Sequence, residues 1–270
     1  RTAMTRFLLL FFLLRVFNTV MDLQKRIIGG QQCERPYHVK LRGVNAGRSF
    51  NLCGGTLISS RWILTAAHCL KPGRTMFADL NVHPAQEVQI RAEPVIYADK
   101  DDNNNKRFHD IMLLQLPSST DIKPMALPNC ENRPKIVHIA GHAATTGGPN
   151  SERNGKASPT LQCAEMDVVD CSTYKNSLKN SNNPDTIEFY NKKKYQHWFC
   201  GAAPGVDTCR GDSGGGVVAN NMIYGVIAFG NNIVRHRPAA FMDLCHPDYE
   251  KWITDNISSK EKVCGLFGCG

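Results

Sequence analysis

This chain has no stretch long and apolar enough to cross a membrane as a helix. Its longest unbroken apolar run is Phe7 to Leu14, and a spanning helix needs about 20 such residues. It has no internal repeat and no heptad pattern, which sets aside repeat arrays and coiled coils. One-signed charge is also scarce. The formal net charge is +8 over 270 residues. Residues 1–26 carry Arg1, Arg6, Arg15, Lys25 and Arg26 against a single Asp22, so the remainder holds only +4. That mild surface could favour acidic partners such as sulfated glycans, but it is no nucleic-acid signature. With 42% hydrophobic and 21% charged residues, the chain is neither disordered nor collagen-like.

Cysteine, by contrast, is abundant. Eleven cysteines exceed what a reducing compartment usually tolerates, so disulfides and an extracellular or secretory-granule location are expected. The N-terminus agrees. Met4 reads as the start, with Arg1 to Ala3 as leftover translated sequence. Arg6 and the Phe7–Leu14 core then read as a secretory signal over residues 1–20.

Apolar patches downstream are short and often β-branched, bounded by Gly, Pro or Asn. Trp62–Leu64, Val88–Ile90, Ile111–Leu116, Ile136–Ile139 and Ile223–Phe229 are examples. This predicts an all-β protein of many short strands. One exception stands near the end: Tyr249, Trp252, Ile253 and Ile257 recur at helical spacing and predict one amphipathic helix. Residues 145–159 and 172–196 are polar and read as loops. Residues 259–270 read as a tail.

Four motifs carry the chemistry: Lys25-Arg26-Ile27-Ile28-Gly29-Gly30, Leu64-Thr65-Ala66-Ala67-His68-Cys69, Asp110-Ile111-Met112-Leu113-Leu114 and Gly211-Asp212-Ser213-Gly214-Gly215. A serine hydroxyl is a weak nucleophile until a base sits beside it. The oxyanion it creates needs backbone N–H donors. Glycines around Ser213 let the backbone approach a substrate closely. Taken alone, that motif is equally a tight turn, His68 a core histidine and Asp110 a strand cap. Together, in the order His, Asp, Ser, they suit acyl transfer. One imidazole nitrogen takes the serine proton while the other donates to the carboxylate.

With those motifs and Cys53-Gly54-Gly55 in hand, the chain resembles a trypsin-like serine protease of the chymotrypsin family, over roughly residues 27–258. The resemblance implies an all-β fold of two six-stranded antiparallel β-barrels with a C-terminal α-helix. The first barrel would take residues 27–135, the second 136–247 and the helix 248–258. It implies His68, Asp110 and Ser213 as catalytic residues, with oxyanion donors at the N–H groups of Gly211 and Ser213. It implies a zymogen: cleavage after Arg26 would remove a propeptide of residues 21–26 and free an Ile27 ammonium to pair with Asp212. The bland reading of Lys25-Arg26 is a surface dibasic pair. Asp207 would floor the primary pocket and select Arg or Lys, with Thr208 beside it and Gly230 and Ala239 as walls.

The same resemblance implies disulfides Cys53–Cys69, Cys33–Cys163, Cys171–Cys200 and Cys130–Cys245. Cys209, Cys264 and Cys269 are left over; an odd total leaves at least one thiol unpaired or intermolecular. Asn256-Ile257-Ser258 is a glycosylation sequon. The expected partners are protein or peptide substrates and protein protease inhibitors, with no nucleic acid, no stable membrane insertion and a monomeric state. No cofactor is expected and no metal: Asp79 and Glu87 do not match the family's calcium-loop spacing. Departures from the family pattern are Ala228 for a serine that bonds the triad aspartate, Phe229 and His142 for tryptophans, Gly216 for proline and Ala239 for glycine. The segment between Cys171 and Cys200 is about twice its usual length. It suggests narrowed specificity, a partner surface or a tolerated insertion. Two rivals to an Arg- or Lys-cleaving protease stand beside it: a non-catalytic binding homologue and a protease of non-basic preference.

Overall fold

The structure, a computed structural model, describes residues 27, 29–80, 85–142, 158–208, 211–229 and 238–267, without the side chains of residues 51–52 and 259–267. The signal and propeptide readings, Arg26, Cys209, Gly230 and Cys269 lie outside the described residues, as does the side chain of Cys264. Fourteen strands are described: β1 (Gln31–Gln32), β2 (His38–Asn45), β3 (Arg48–Leu57), β4 (Trp62–Thr65), β5 (Thr75–Leu80), β6 (Gln86–Gln89), β7 (Val95–Lys100), β8 (Lys106–Gln115), β9 (Ile136–Gly141), β10 (Gln162–Val169), β11 (Trp198–Ala202), β12 (Gly216–Ala219), β13 (Met222–Phe229) and β14 (Ala239–Asp243). A 3₁₀ turn covers Ala67–Cys69, and the helices are α1 (Ser172–Lys179), α2 (Pro184–Lys193) and α3 (Pro247–Phe267).

The first sheet runs β6-β5-β2-β3-β4-β8-β7. Its two edge strands are consecutive in the chain, so residues 90–94 close the ring covalently rather than through a ladder. The N–H of Ile90 still donates to the Met76 carbonyl at 2.9 Å, and pairing fails only towards Pro94, which has no N–H to give. With β6 and β7 counted as one bent strand, this is a six-stranded barrel. The second sheet runs β9-β10-β11-β14-β13-β12 and closes by the ladder between β12 and β9. All pairings within both sheets are antiparallel, and inward residues are almost wholly apolar. Trp62, Leu64, Ile111 and Leu113 fill one barrel; Val137, Ile139, Ile227 and Phe241 fill the other.

β1 corrects the barrel boundary read from the sequence. Gln31 and Gln32 pair with β10 of the second sheet, and Ile27 is fully buried in that barrel's core. The Cys33–Cys163 disulfide fixes the same crossover. Three more bridges join Cys53–Cys69, Cys130–Cys245 and Cys171–Cys200. By loop-closure entropy such bridges are worth about 3 kcal/mol for a short loop and nearer 5 for loops of a hundred residues.

Residues 172–196 are not simply a loop. They hold α1 and α2, packed on one another. Tyr174 and Leu178, one turn apart, are buried on α1. On α2 the Asn183 side chain accepts from the Asp185 N–H at 2.8 Å, with Pro184 in the first turn, a strong N-cap. α3 also runs past residue 258, to Phe267. Its buried Tyr249 and Ile253 belong to the larger apolar cluster. Tyr249 lies against the Tyr97 and His109 rings at 5.2 and 5.4 Å, which docks the helix on the β7–β8 edge.

Candidate active site

β4 stops pairing with β8 at Thr65–Met112. Two residues earlier on β8 and on the same face, Asp110 therefore meets the 3₁₀ turn that follows β4 instead of a strand. The backbone N–H of His68 donates to Asp110 Oδ1 at 2.8 Å, and His68 Nδ1 lies 2.8 Å from Asp110 Oδ2. Both carboxylate oxygens thus fix one residue, which orients the imidazole and leaves Nε2 as the outward nitrogen. Asp110 is 3% exposed. Burial pushes its carboxyl up, but the His68 hydrogen bonds and charge, with Lys193 further off, outweigh this and hold it below the usual carboxylate range.

Ser213 comes from the other barrel. Its carbonyl accepts the Gly54 N–H at 2.8 Å. Gly54 follows Cys53, whose bridge to Cys69 pins the neighbour of His68. One short covalent and hydrogen-bonded path therefore ties the serine turn to the histidine turn. The turn is held from behind by Gly214 N–H to the Ile227 carbonyl at 2.7 Å and Gly215 N–H to the Asp212 carbonyl at 3.0 Å. Gly214 takes φ 84°, and a Cβ there would sit 2.2 Å from Thr65 Oγ1 and 2.4 Å from the Gly54 carbonyl oxygen. Gly214 is therefore required by the seam between the barrels, whatever clearance the neighbouring glycines give a substrate. Gly211, with φ 103°, is in a conformation that a side chain strongly disfavours.

A buried carboxylate, an imidazole oriented by it and a serine on a rigid turn beside them form a constellation suited to acyl transfer. The family model described as Trypsin matches residues 27–253. The chain belongs to the trypsin family. It is similar to a trypsin of Xenopus laevis, 31% identical over 250 residues that cover 87% of this chain and 91% of that protein. It is also similar to kallikrein-8 of Rattus norvegicus, 27% identical, covering 96% and 97%. Among solved structures it resembles neuropsin, described as a serine protease expressed in the limbic system of mouse brain. That match has a TM-score of 0.63 at 27% identity, over 84% of this chain and 98% of the other. This trypsin-family member is a serine endopeptidase with the chymotrypsin-like two-barrel fold.

The other residues singled out in the protease sequence fall in two places. Asp207 and Ala239 are each 2% exposed and line one cavity of about 280 Å³ with Gly201, Val206 and Pro238. The Thr208 backbone N–H donates to Asp207 Oδ1 at 2.7 Å. This backbone donor of the adjacent residue offsets part of the cost of burying the Asp207 carboxylate. Thr208 acts there through its N–H. Ile27 and Asp212 are both fully buried. Asp212 sits against Gly141, where a Cβ would lie 1.8 Å from Asp212 Oδ1.

Sequence reading missed Gln196. It is 3% exposed, and its Oε1 accepts the Asp110 backbone N–H at 3.1 Å. It also missed what α2 does. Phe189 packs edge-on to Phe229 at 5.7 Å, and Lys193 Nζ lies 5.9 Å from the same ring. At the Asp79–Glu87 pair, the Arg42 guanidinium bonds both carboxylates, with Asp79 at 2.7 and 2.9 Å. Cys53, His68 and Cys69 cluster tightly, but the two sulfurs are bonded to each other and offer no thiolate.

Proposed function

We propose that this serine protease cuts after Arg or Lys, with Ser213 as nucleophile, His68 as its general base and later general acid, and Asp110 orienting and stabilising the imidazolium. The backbone N–H groups of Gly211 and Ser213 serve as the oxyanion hole. The observation that carries the reading is the double hydrogen bond from His68 to buried Asp110, because it leaves one imidazole nitrogen directed away from the carboxylate, as proton transfer from serine requires. In the acyl-enzyme cycle, His68 takes the Ser213 proton as the hydroxyl oxygen attacks the carbonyl. It then gives that proton to the leaving amine, and a water molecule repeats the sequence to free the acid.

Basic specificity rests on Asp207. A carboxylate buried at a cavity favours a cationic side chain and disfavours an apolar one, which would displace water without supplying a counter-charge. Gly230 and Ala239 are the walls in this reading. Activation follows from cleavage at Arg26–Ile27, after removal of a signal over residues 1–20, and the new Ile27 ammonium pairs with Asp212. Supporting this is the burial of both residues, and the φ of 41° at Ile27, a value a β-branched residue rarely holds. The propeptide of residues 21–26, secretion, recognition by protein protease inhibitors and a monomeric state belong to the same reading; the four disulfides support an oxidising destination.

The test is a peptide-library cleavage profile of enzyme processed at Arg26, run beside fluorophosphonate labelling. Label on Ser213 with cleavage after Arg and Lys is the expected result. Absence of label overturns the nucleophile assignment. Label with cleavage after Phe or Leu overturns only the pocket assignment.

A further inference from the structure

Three potential metal ligands from two segments of the chain meet where the start of β11 lies against the start of α3. His197 immediately precedes β11, His246 immediately precedes α3, and Asp248 lies in the first turn of that helix. One ligand atom from each lies within 4.8 Å of the other two. The His197 and His246 rings are stacked, with centroids 3.3 Å apart and planes 3° from parallel. His246 Nδ1 is 3.6 Å from Asp248 Oδ2. These are not loose surface side chains. The His197 N–H donates to Tyr249 Oη at 3.3 Å. The His246 N–H donates to the Asp243 carbonyl at 3.0 Å. Cys245, beside His246, is bridged to Cys130, and Pro247 stiffens the link to Asp248.

We infer that His197, His246 and Asp248 form a site for one borderline divalent cation of the zinc class, clamping the start of α3 to the start of β11. Two imidazoles and a carboxylate are a donor set that suits Zn²⁺ and its neighbours rather than calcium or magnesium. Tetrahedral zinc with nitrogen ligands at about 2.0–2.1 Å holds those nitrogens roughly 3.3 Å apart. The three ligand atoms, all within 4.8 Å of one another, already approach that spacing. Parallel rings cannot both aim their lone pairs at one ion, so binding swings one imidazole out of the stack. Both histidines are only half-buried, which leaves room for that rotation and a path for the ion. The fourth position is open to water. The site is distinct from the catalytic residues, although His197 adjoins Gln196, the partner of the Asp110 N–H.

The test uses the full chain carrying Ser213→Ala, so that self-cleavage is absent, with free thiols alkylated so that unpaired cysteines bind nothing. Zn²⁺ is added by calorimetric titration and thermal unfolding is followed with and without it. The expected result is one equivalent bound and a rise in Tm. His246→Ala and His197→Gln each weaken binding by about tenfold or more. Asp248→Asn, at an exposed position, weakens it while leaving the apo Tm in place, which separates ligand loss from misfolding. His68→Ala leaves binding unchanged. No binding at one equivalent, binding indifferent to all three ligand substitutions, or binding lost only with His68 overturns the site.

Discussion

The Gln196 side chain accepts the backbone N–H of Asp110 at 3.1 Å, from a segment 86 positions further along the chain. Both groups are buried. In Gln196→Leu that N–H loses its partner, which costs about 1–3 kcal/mol where no water replaces it. The carboxylate that orients His68 hangs on the same residue. The expected result is a fall in kcat of about tenfold or more with KM nearly unchanged, since Gln196 touches no substrate. Equal changes in kcat and KM would assign it to substrate binding instead.

How the sequence reveals Asp110 but hides Gln196 is physical. His68, Asp110 and Ser213 each sit in a local motif whose residue types are demanded by chemistry, and the strands around them announce themselves by β-branched apolar runs. Gln196 has no local signature; its partner is set by where the Cys171–Cys200 insertion folds. That insertion misleads because Asn, Ser and Lys dominate it. Yet Asn183-Pro184-Asp185 is a legible helix start, and Tyr174 with Leu178 a legible one-turn pair. Gly214 illustrates the converse: the residue is conspicuous, but only the seam with Thr65 and Gly54 shows what forbids a side chain there.

Ser213→Ala and His68→Ala should each reduce turnover by several orders of magnitude, and the double variant should lose little more than either. The reason is that a nucleophile without its base, or a base without its nucleophile, is equally idle. Single-turnover kinetics on the three variants checks this. Multiplying losses would show two residues acting independently.

Arg26→Gln should leave the protein nearly inactive after exposure to an activating protease of tryptic specificity, while the parent gains activity. N-terminal sequencing of the parent should then begin at Ile27. Full activity in the uncleaved variant would remove the Ile27–Asp212 pairing from the account.

Acid should destabilise the fold through His38. Its ring is 2% exposed and lies 5.6 Å from that of His142. Nε2 has no hydrogen-bond partner among the described residues. Burial, with the His142 charge second, pushes its pKa down to about 3. A folded-state value below the unfolded 6.5 means the stability it permits is complete above pH 6.5 and is lost as pH falls towards 3. At pH 5 the loss is about 2 kcal/mol. His109 and His197 are also lowered, chiefly by burial, and act in the same direction. Urea unfolding at pH 7 and pH 5 should show His38→Leu losing about 2 kcal/mol less than the parent. Equal losses would place the acid sensitivity elsewhere.

The pocket prediction turns on two residues facing one cavity. Asp207 supplies a buried carboxylate whose Oδ1 already accepts the Thr208 N–H. That bond offsets part of the cost of burial; in the proposed reading the same carboxylate receives an incoming guanidinium or ammonium. Rejection of a side chain that fails to satisfy a buried polar group can reach about 10⁴-fold. Asp207→Ser should therefore collapse cleavage after Arg and Lys, and aromatic substrates should gain in relative terms. Ala239 acts oppositely. It is buried and paired across the sheet with Gly201, and in the proposed reading its methyl takes up depth that a long basic side chain needs. Ala239→Gly should raise kcat/KM for Arg and Lys substrates and leave small side chains unaffected. Chromogenic substrates differing only in the residue before the cut measure both effects. If the parent already prefers Phe or Leu and Asp207→Ser changes nothing, the carboxylate is not the selector, and specificity belongs to the altered apolar walls around Phe229 and Ala239.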